Sequence, residues 1–123
     1  MHKKSQLANE ILDQVREAIL RIQRRFSNIE TPEDFYGEQG SDKLDSITIM
    51  LIAIGESFKK IDKMTEVSLL AHYPQIDWKG VKGIRNIIVH DYFNIDAEEI
   101  FDVCKNDIPE LLLVVKKMVG ELE

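Results

Sequence analysis

The sequence predicts an all-α fold, an antiparallel helical bundle of four to five main helices, and three observations carry that prediction. Apolar residues recur at spacings of three and four along most of the chain. No segment alternates apolar and polar residues in the manner of a half-buried strand. Capping residues or an early proline stand at the start of several periodic segments. At 123 residues, 44% of them hydrophobic, the chain suffices for one core, so residues 1–123 read as a single domain.

The first helix is marked by Leu7, Ile11, Val15, Ile19, Ile22 and Phe26, one face of a long element. A polar stretch follows over 27–41, in which Thr31 caps a short helical turn and Pro32 takes its first position. Gly37 and Gly40 are expected to break the chain there. The second helix is expected over 42–62, with Leu44, Ile47, Met50, Leu51, Ile54, Phe58 and Ile61 on its main stripe. Ile49, Ile52 and Ala53 fall off that stripe, so a second face needs cover from a central position or from a partner subunit.

A short helix over 66–72 stops before Pro74, because the residue preceding a proline avoids helical geometry. Asp77 caps the next helix, which runs from Trp78 to about Tyr92 and carries Val81, Ile84, Ile88 and Val89. Gly80 and Gly83 cost helix propensity, which implies that another backbone packs closely against them. Asp96 and Glu99 form a capping box, with Ile95 and Ile100 as its hydrophobic staple. The last helix, over 107–122, has Pro109 in its first turn and turns Leu111, Leu112, Val115, Met118, Val119 and Leu122 inward.

Charge and composition narrow the function. A net charge of -6 disfavours a broad nucleic-acid coat, since non-specific affinity comes from cations replacing phosphate counterions. A local basic site survives, because Lys79, Lys82 and Arg85 share one short segment. No apolar run approaches the length of a membrane span, and Met1-His2-Lys3-Lys4 leads straight into an amphipathic pattern, so a cytoplasmic protein is expected. The single cysteine, Cys104, agrees with a reducing compartment and reads as a small buried hydrophobe. No cluster has metal-ligand spacing, so neither metal nor cofactor is expected.

Chemistry concentrates in Gly83-Ile84-Arg85-Asn86-Ile87-Ile88-Val89-His90-Asp91-Tyr92, where a cation, an amide, an imidazole and a phenol share a largely apolar helix. A histidine can take the proton of a ribose 2′-hydroxyl near neutral pH, and an arginine can hold the phosphate oxygens on which charge then builds. Together they suffice for RNA cleavage without a metal, with Asn86 as a supporting donor. On one ideal helix, however, Arg85 and His90 point about 140° apart. Either the helix distorts near its end, or a two-fold interface completes the site.

Arg85-Asn86-Ile87-Ile88-Val89-His90-Asp91-Tyr92 resembles the R-X4-H-X-Y signature of HepT proteins in the HEPN superfamily. The resemblance extends over about residues 7–119 and includes Ile54-Gly55-Glu56, Tyr73-Pro74-Gln75-Ile76-Asp77-Trp78 and Asp107-Ile108-Pro109-Glu110. It implies a homodimeric HEPN-type bundle with a composite ribonuclease site, acting as the toxin of a toxin–antitoxin pair. The partner it implies is a minimal nucleotidyltransferase antitoxin of the MntA type, which neutralises the toxin by AMPylating the motif tyrosine, here Tyr92. AMP on Tyr92 would set phosphate charge beside Arg85 and His90 and repel an RNA backbone.

Plainer readings stand beside these. Arg85 and His90 can form a buried pair that fixes helix register, Tyr92 an aromatic plug, and Asn86 a helix cross-link. Glu56 either orients Arg85 or is a surface carboxylate. Lys79 and Lys82 either guide RNA or solvate a helix face. Asp91 reads as solvated, Trp78 as core, and His2 and His72 as lacking neighbours that would make them ligands or bases. The rival function is a non-catalytic helical dimer that serves as binding or regulatory partner of a nucleotidyltransferase.

Overall fold

A computed structural model describes residues 2–65, 68–90 and 95–122. Among these, α1 is His2–Phe26, a 3-10 turn is Pro32–Phe35, α2 is Glu38–Met64, α3 is Ser68–Ala71 and α4 is Trp78–His90. Then α5 (Ala97–Asp102), a π-helical turn (Val103–Asp107) and α6 (Ile108–Leu122) follow one another without a break. The described residues contain no strand.

Helix α1 packs between α2 and α6, and α2 carries α4 on its other side. The periodicity of three and four explains the arrangement, since it puts Leu12, Val15, Ile19 and Ile22 of α1 on one buried stripe. They meet Ile47, Leu51, Ile54, Phe58 and Ile61 of α2 and Ile108, Leu111, Val115 and Met118 of α6. Each such side chain taken fully out of water contributes on the order of 1.5–3 kcal/mol, and it is this packing, more than helix propensity, that keeps the helices formed. At the N-terminal end the stripe begins at Ala8, and Leu7 is exposed instead of buried. In α6 Leu111, Val115 and Met118 point inward as expected, with Val114 added, whereas Leu112 and Val119 lie at the edge of the core and Leu113 is exposed.

Two boundaries and one close approach differ from the sequence expectation. Helix α2 starts four residues early, because Gly37 alone breaks the chain: its φ of 87° suits glycine and makes it the N-cap. Gly40 lies inside the first turn, where a side chain would meet the backbone of Asp34 and Phe35. The close approach expected at Gly80 and Gly83 occurs on the facing helix at Gly55, whose added Cβ would stand 2.7 Å from the carbonyl oxygen of Val81. Gly83 has open space, and Gly80 faces only the cap carboxylate of Asp77. Finally, α5 and α6 are joined by the π turn. Pro109 has no N–H for the carbonyl four residues back, and a π turn immediately ahead of it accommodates that missing bond.

Asp77 and Asp96 cap their helices as predicted, whereas the side chain of Thr31 makes no cap hydrogen bond and only the Asp96 half of the expected box with Glu99 is formed among the described contacts. Asp77 Oδ1 accepts from Gly80 N at 3.1 Å, and Asp96 Oδ1 accepts from the N–H groups of Glu98 and Glu99. Asp34 Oδ2 accepts from Glu30 N and Thr31 N, which ties the 3-10 turn to the chain before it and holds the Asp34 carboxyl below its ordinary value. The short helix predicted over 66–72 appears as α3, with residues 66–67 outside the described set.

Candidate functional site

Helix α4 is fixed at its start by Trp78. Its indole ring sits 4.8 Å from the Phe58 ring of α2, and Nε1 donates to the carbonyl oxygen of Tyr73 at 2.9 Å. Gly55 lets the two helices close up one turn further along α4, at Val81. This docking brings charged groups of α2 against charged groups of α4, and two ion pairs result.

The outer pair is Arg85 with Glu56. Arg85 Nη1 donates to Glu56 Oε1 at 2.6 Å, with the arginine side chain 54% exposed and the glutamate 33%. The other carboxylate oxygen, Oε2, lies 3.3 Å from Nζ of Lys59. The Arg85 guanidinium, and after it the Lys59 ammonium, hold the Glu56 carboxyl below its usual value. Glu56 therefore touches Arg85 and is at the same time a carboxylate at the surface. Lys59 is a neighbour that the sequence reading passed over, although its i+3 spacing from Glu56 was a signal for it.

The inner pair is Lys82 with Asp62. Lys82 Nζ donates to Asp62 Oδ2, and the two side chains are only 29% and 12% exposed. Asp62 Oδ1 is buried with no hydrogen-bond partner. Lys82 is therefore engaged by the helix–helix interface. Lys79, by contrast, is exposed, and so is Asn86.

His90 is the last residue of α4, and only its backbone is described. Asp91 and Tyr92 lie outside the described residues. The backbone stays α-helical through His90, so no distortion within α4 reduces the angular separation between Arg85 and His90.

Two other polar sites lie apart from this one. His72 is not without neighbours, because its Nδ1 stands 3.0 Å from Glu121 Oε2, and Tyr73 donates its hydroxyl proton to Glu121 Oε1 at 3.2 Å. Both contacts tie the segment after α3 to the end of α6. A cavity of about 440 Å³ opens between α4 and the α5–α6 segment, floored by apolar residues such as Ile54, Ile84 and Leu111 and edged by Asp77, Glu99, Asp107 and Glu110. Burial, then the charges of Asp102, Glu110 and Asp77, push the Asp107 carboxyl up. Cys104 is buried, which pushes its thiol up to about 12. No helix among the described residues is long and apolar enough to cross a membrane.

Comparison with known proteins places the chain in a family. The chain is 28% identical over 98 residues to "Putative RNase MJ0127" of Methanocaldococcus jannaschii, covering 80% of this chain and 76% of that one. It is 34% identical over 73 residues to "Putative RNase MJ0125" of the same organism, covering 59% of this chain and 60% of that one. "Probable ribonuclease HepT" of Thermococcus cleftensis is 29% identical over 102 residues, covering 81% and 84%. No solved structure matches the chain. The profile of the family described as Ribonuclease HepT-like matches residues 15–118, from the middle of α1 to the last buried turn of α6, and the chain belongs to that family.

Proposed function

We propose that the protein is a metal-independent endoribonuclease toxin, in which Arg85 clamps the scissile phosphate, His90 acts as general base and Asn86 supports the bound backbone. The observation that carries this reading is the state of Arg85. Its guanidinium is exposed, held in place through Nη1 alone, and its remaining N–H donors have no partner among the described residues. An anchored guanidinium with free donors suits a ligand whose oxygens come from outside.

In the proposed reaction His90 takes the proton of a ribose 2′-hydroxyl and the 2′-oxygen attacks the adjacent phosphorus. The bond to the 5′-oxygen breaks, that oxygen takes up a proton, and the products carry a 2′,3′-cyclic phosphate and a 5′-hydroxyl. The undistorted α4 supports assembly of the site by two copies of the chain. So does the outer face of α2, where Ile49 is 64% exposed and Ala53 is exposed one turn before Glu56. A two-fold contact on that apolar stripe would cover it and bring two α4 ends together. Neutralisation by a nucleotidyltransferase of the MntA type, through AMP on Tyr92, rests on the family resemblance.

The test is to incubate purified protein with total RNA and a chelator. The expected result is fragments ending in 2′,3′-cyclic phosphate, and their complete loss in His90→Ala along with the loss of growth inhibition. Equal cleavage or equal toxicity by that variant refutes the assignment. No cleavage by the native chain, together with a stable complex with a nucleotidyltransferase, would instead make it a non-catalytic partner.

A further inference from the structure

We propose that the outer face of the second half of α2, formed by Lys59, Lys60 and Lys63 beside Arg85, is the track on which an RNA backbone lies next to the cleavage centre; the inference rests on the ribonuclease reading above. Lys59, Lys60 and Lys63 follow Glu56 by three, four and seven residues, which places all four within an arc of about 100° on one side of the helix. All three lysines are exposed. Glu56 ties the track to the site, because one carboxylate holds Arg85 at Oε1 and Lys59 at Oε2. Two cations are thereby set side by side at the surface, a spacing that like charges would otherwise oppose.

The charge balance marks this patch out. Lys59, Lys60, Lys63, Lys82 and Arg85 are five cations, and they face two carboxylates, Glu56 and Asp62, a surplus of three positive charges. The whole chain has a net charge of -6, so the rest of it carries -9. Lys60 and Lys63 form no ion pair among the described residues, which is also true of Arg24 and Arg25 at the end of α1, so what distinguishes the α2 patch is its link through Glu56 to Arg85. In a protein of net negative charge an anionic polymer would be steered to a cationic face of this kind. Direction along the helix matters as well. The same side of α2 is apolar at Ile49 and Ala53 and becomes cationic from Lys59 onward, so the RNA track and the proposed contact between copies occupy successive stretches of one face.

A fluorescent RNA of mixed sequence with 2′-O-methyl riboses binds without being cut, which separates binding from chemistry. Its affinity is measured from about 50 to about 200 mM salt for the native chain, for the triple variant K59Q/K60Q/K63Q, and for the control K105Q/K116Q/K117Q, which removes equal charge from the segment spanning the π turn and α6. The expected result is a salt-dependence slope shallower by about two for the α2 triple variant, an affinity lower by roughly tenfold, and a control close to native. Thermal unfolding of each variant checks that all are folded. If the native chain cuts unmodified RNA and the α2 variant binds with an unchanged slope, or if the control loses as much, the track is wrong while the ribonuclease reading stands. If the native chain neither cuts nor binds RNA, both fall together.

Discussion

Helices α2 and α4 are joined by two ion pairs of the same type, and they differ in nearly everything else. Lys82 and Asp62 meet where both helices shield them from water, and one carboxylate oxygen there has no partner. Arg85 and Glu56 meet at the surface, where a third charge, Lys59, joins them. An ion pair withdrawn from water contributes little net stability but is costly to break, because the abandoned charge stays buried. A pair exposed to water contributes little and is cheap to break. The inner pair therefore sets how α4 sits on α2, and the outer pair is free to exchange one of its partners for a ligand. Lys82 and Arg85 are three positions apart, so one helix turn carries a cation drawn into the helix–helix interface and another left at the surface.

The strongest attempt to break this comparison is to remove each cation in turn. Arg85→Ala should lower cleavage by about 10²–10³-fold, the range seen when one charge-stabilising donor is lost, while the melting temperature stays near native. Lys82→Ala should do the reverse. It strands the Asp62 carboxylate, and after discounting for the partial exposure of Lys82 the cost is about 1–3 kcal/mol, several degrees in Tm for a chain of this size. Pairing it with Asp62→Leu should return most of that loss, since a well-packed apolar pair replaces the stranded charge. If Lys82→Ala unfolds at the native temperature, the distinction between the two pairs collapses. Gly55→Ala offers an independent check through the backbone: a Cβ 2.7 Å from the Val81 carbonyl must push α4 outward, with a cost of about 1–3 kcal/mol read by denaturant titration.

The sequence made the bundle legible because long amphipathic helices announce themselves through spacing: in α2 Ile47, Leu51, Ile54, Phe58 and Ile61 are buried as expected, while in α1 Val15, Ile19 and Ile22 are, with Ala8 and Leu12 buried in place of Leu7 and Ile11. It misplaced Gly40 and the pair Gly80 and Gly83 because a glycine signals close approach without saying which backbone approaches; Gly55, inside the Ile-Gly-Glu segment, was the one that mattered. The site was legible in part. Arg85 stood out as a cation on an apolar helix, and Glu56 as an acid on another, but their 2.6 Å contact joins residues 29 positions apart and depends on how two helices dock. Lys59 was missed because exposed lysines are common and only its carboxylate neighbour distinguishes it. Asp62 was missed for a related reason: an acid at the end of an apolar helix looks solvated until the facing helix is known to cover it.

A smaller effect sharpens the role of the outer pair. Glu56→Gln keeps an oxygen for the Arg85 hydrogen bond but removes the charge that holds Arg85 and Lys59 together. Cleavage should fall by roughly tenfold, mainly in kcat as Arg85 loses its fixed position, while RNA binding is not weakened and tightens at low salt because the patch gains one positive charge. A variant as active as the native chain across the salt range would make Glu56 a bystander.

The smallest effect concerns acids, and its sign separates paired carboxylates from an unpaired one. Glu56 has its folded-state pKa lowered by Arg85 and Lys59, so its contribution to stability is present above the ordinary carboxylate range and is lost as pH falls through the lowered value. Asp107 has its pKa raised by burial and by the neighbouring Asp102, Glu110 and Asp77, and no cation pairs with it among the described residues. Its contribution runs the other way, present below its unfolded value and lost as pH rises through the raised one. Asp107→Asn should therefore raise Tm slightly at neutral pH, by about 1–2 °C, and the gain should vanish in acid, where the native aspartic acid is already neutral. Calorimetry of the two proteins from neutral to acidic pH reads this directly. A gain that persists unchanged in acid would mean that Asp107 is strained by packing and not by charge, and the contrast between carboxylates held by a cation and carboxylates left among their own kind would lose its third member.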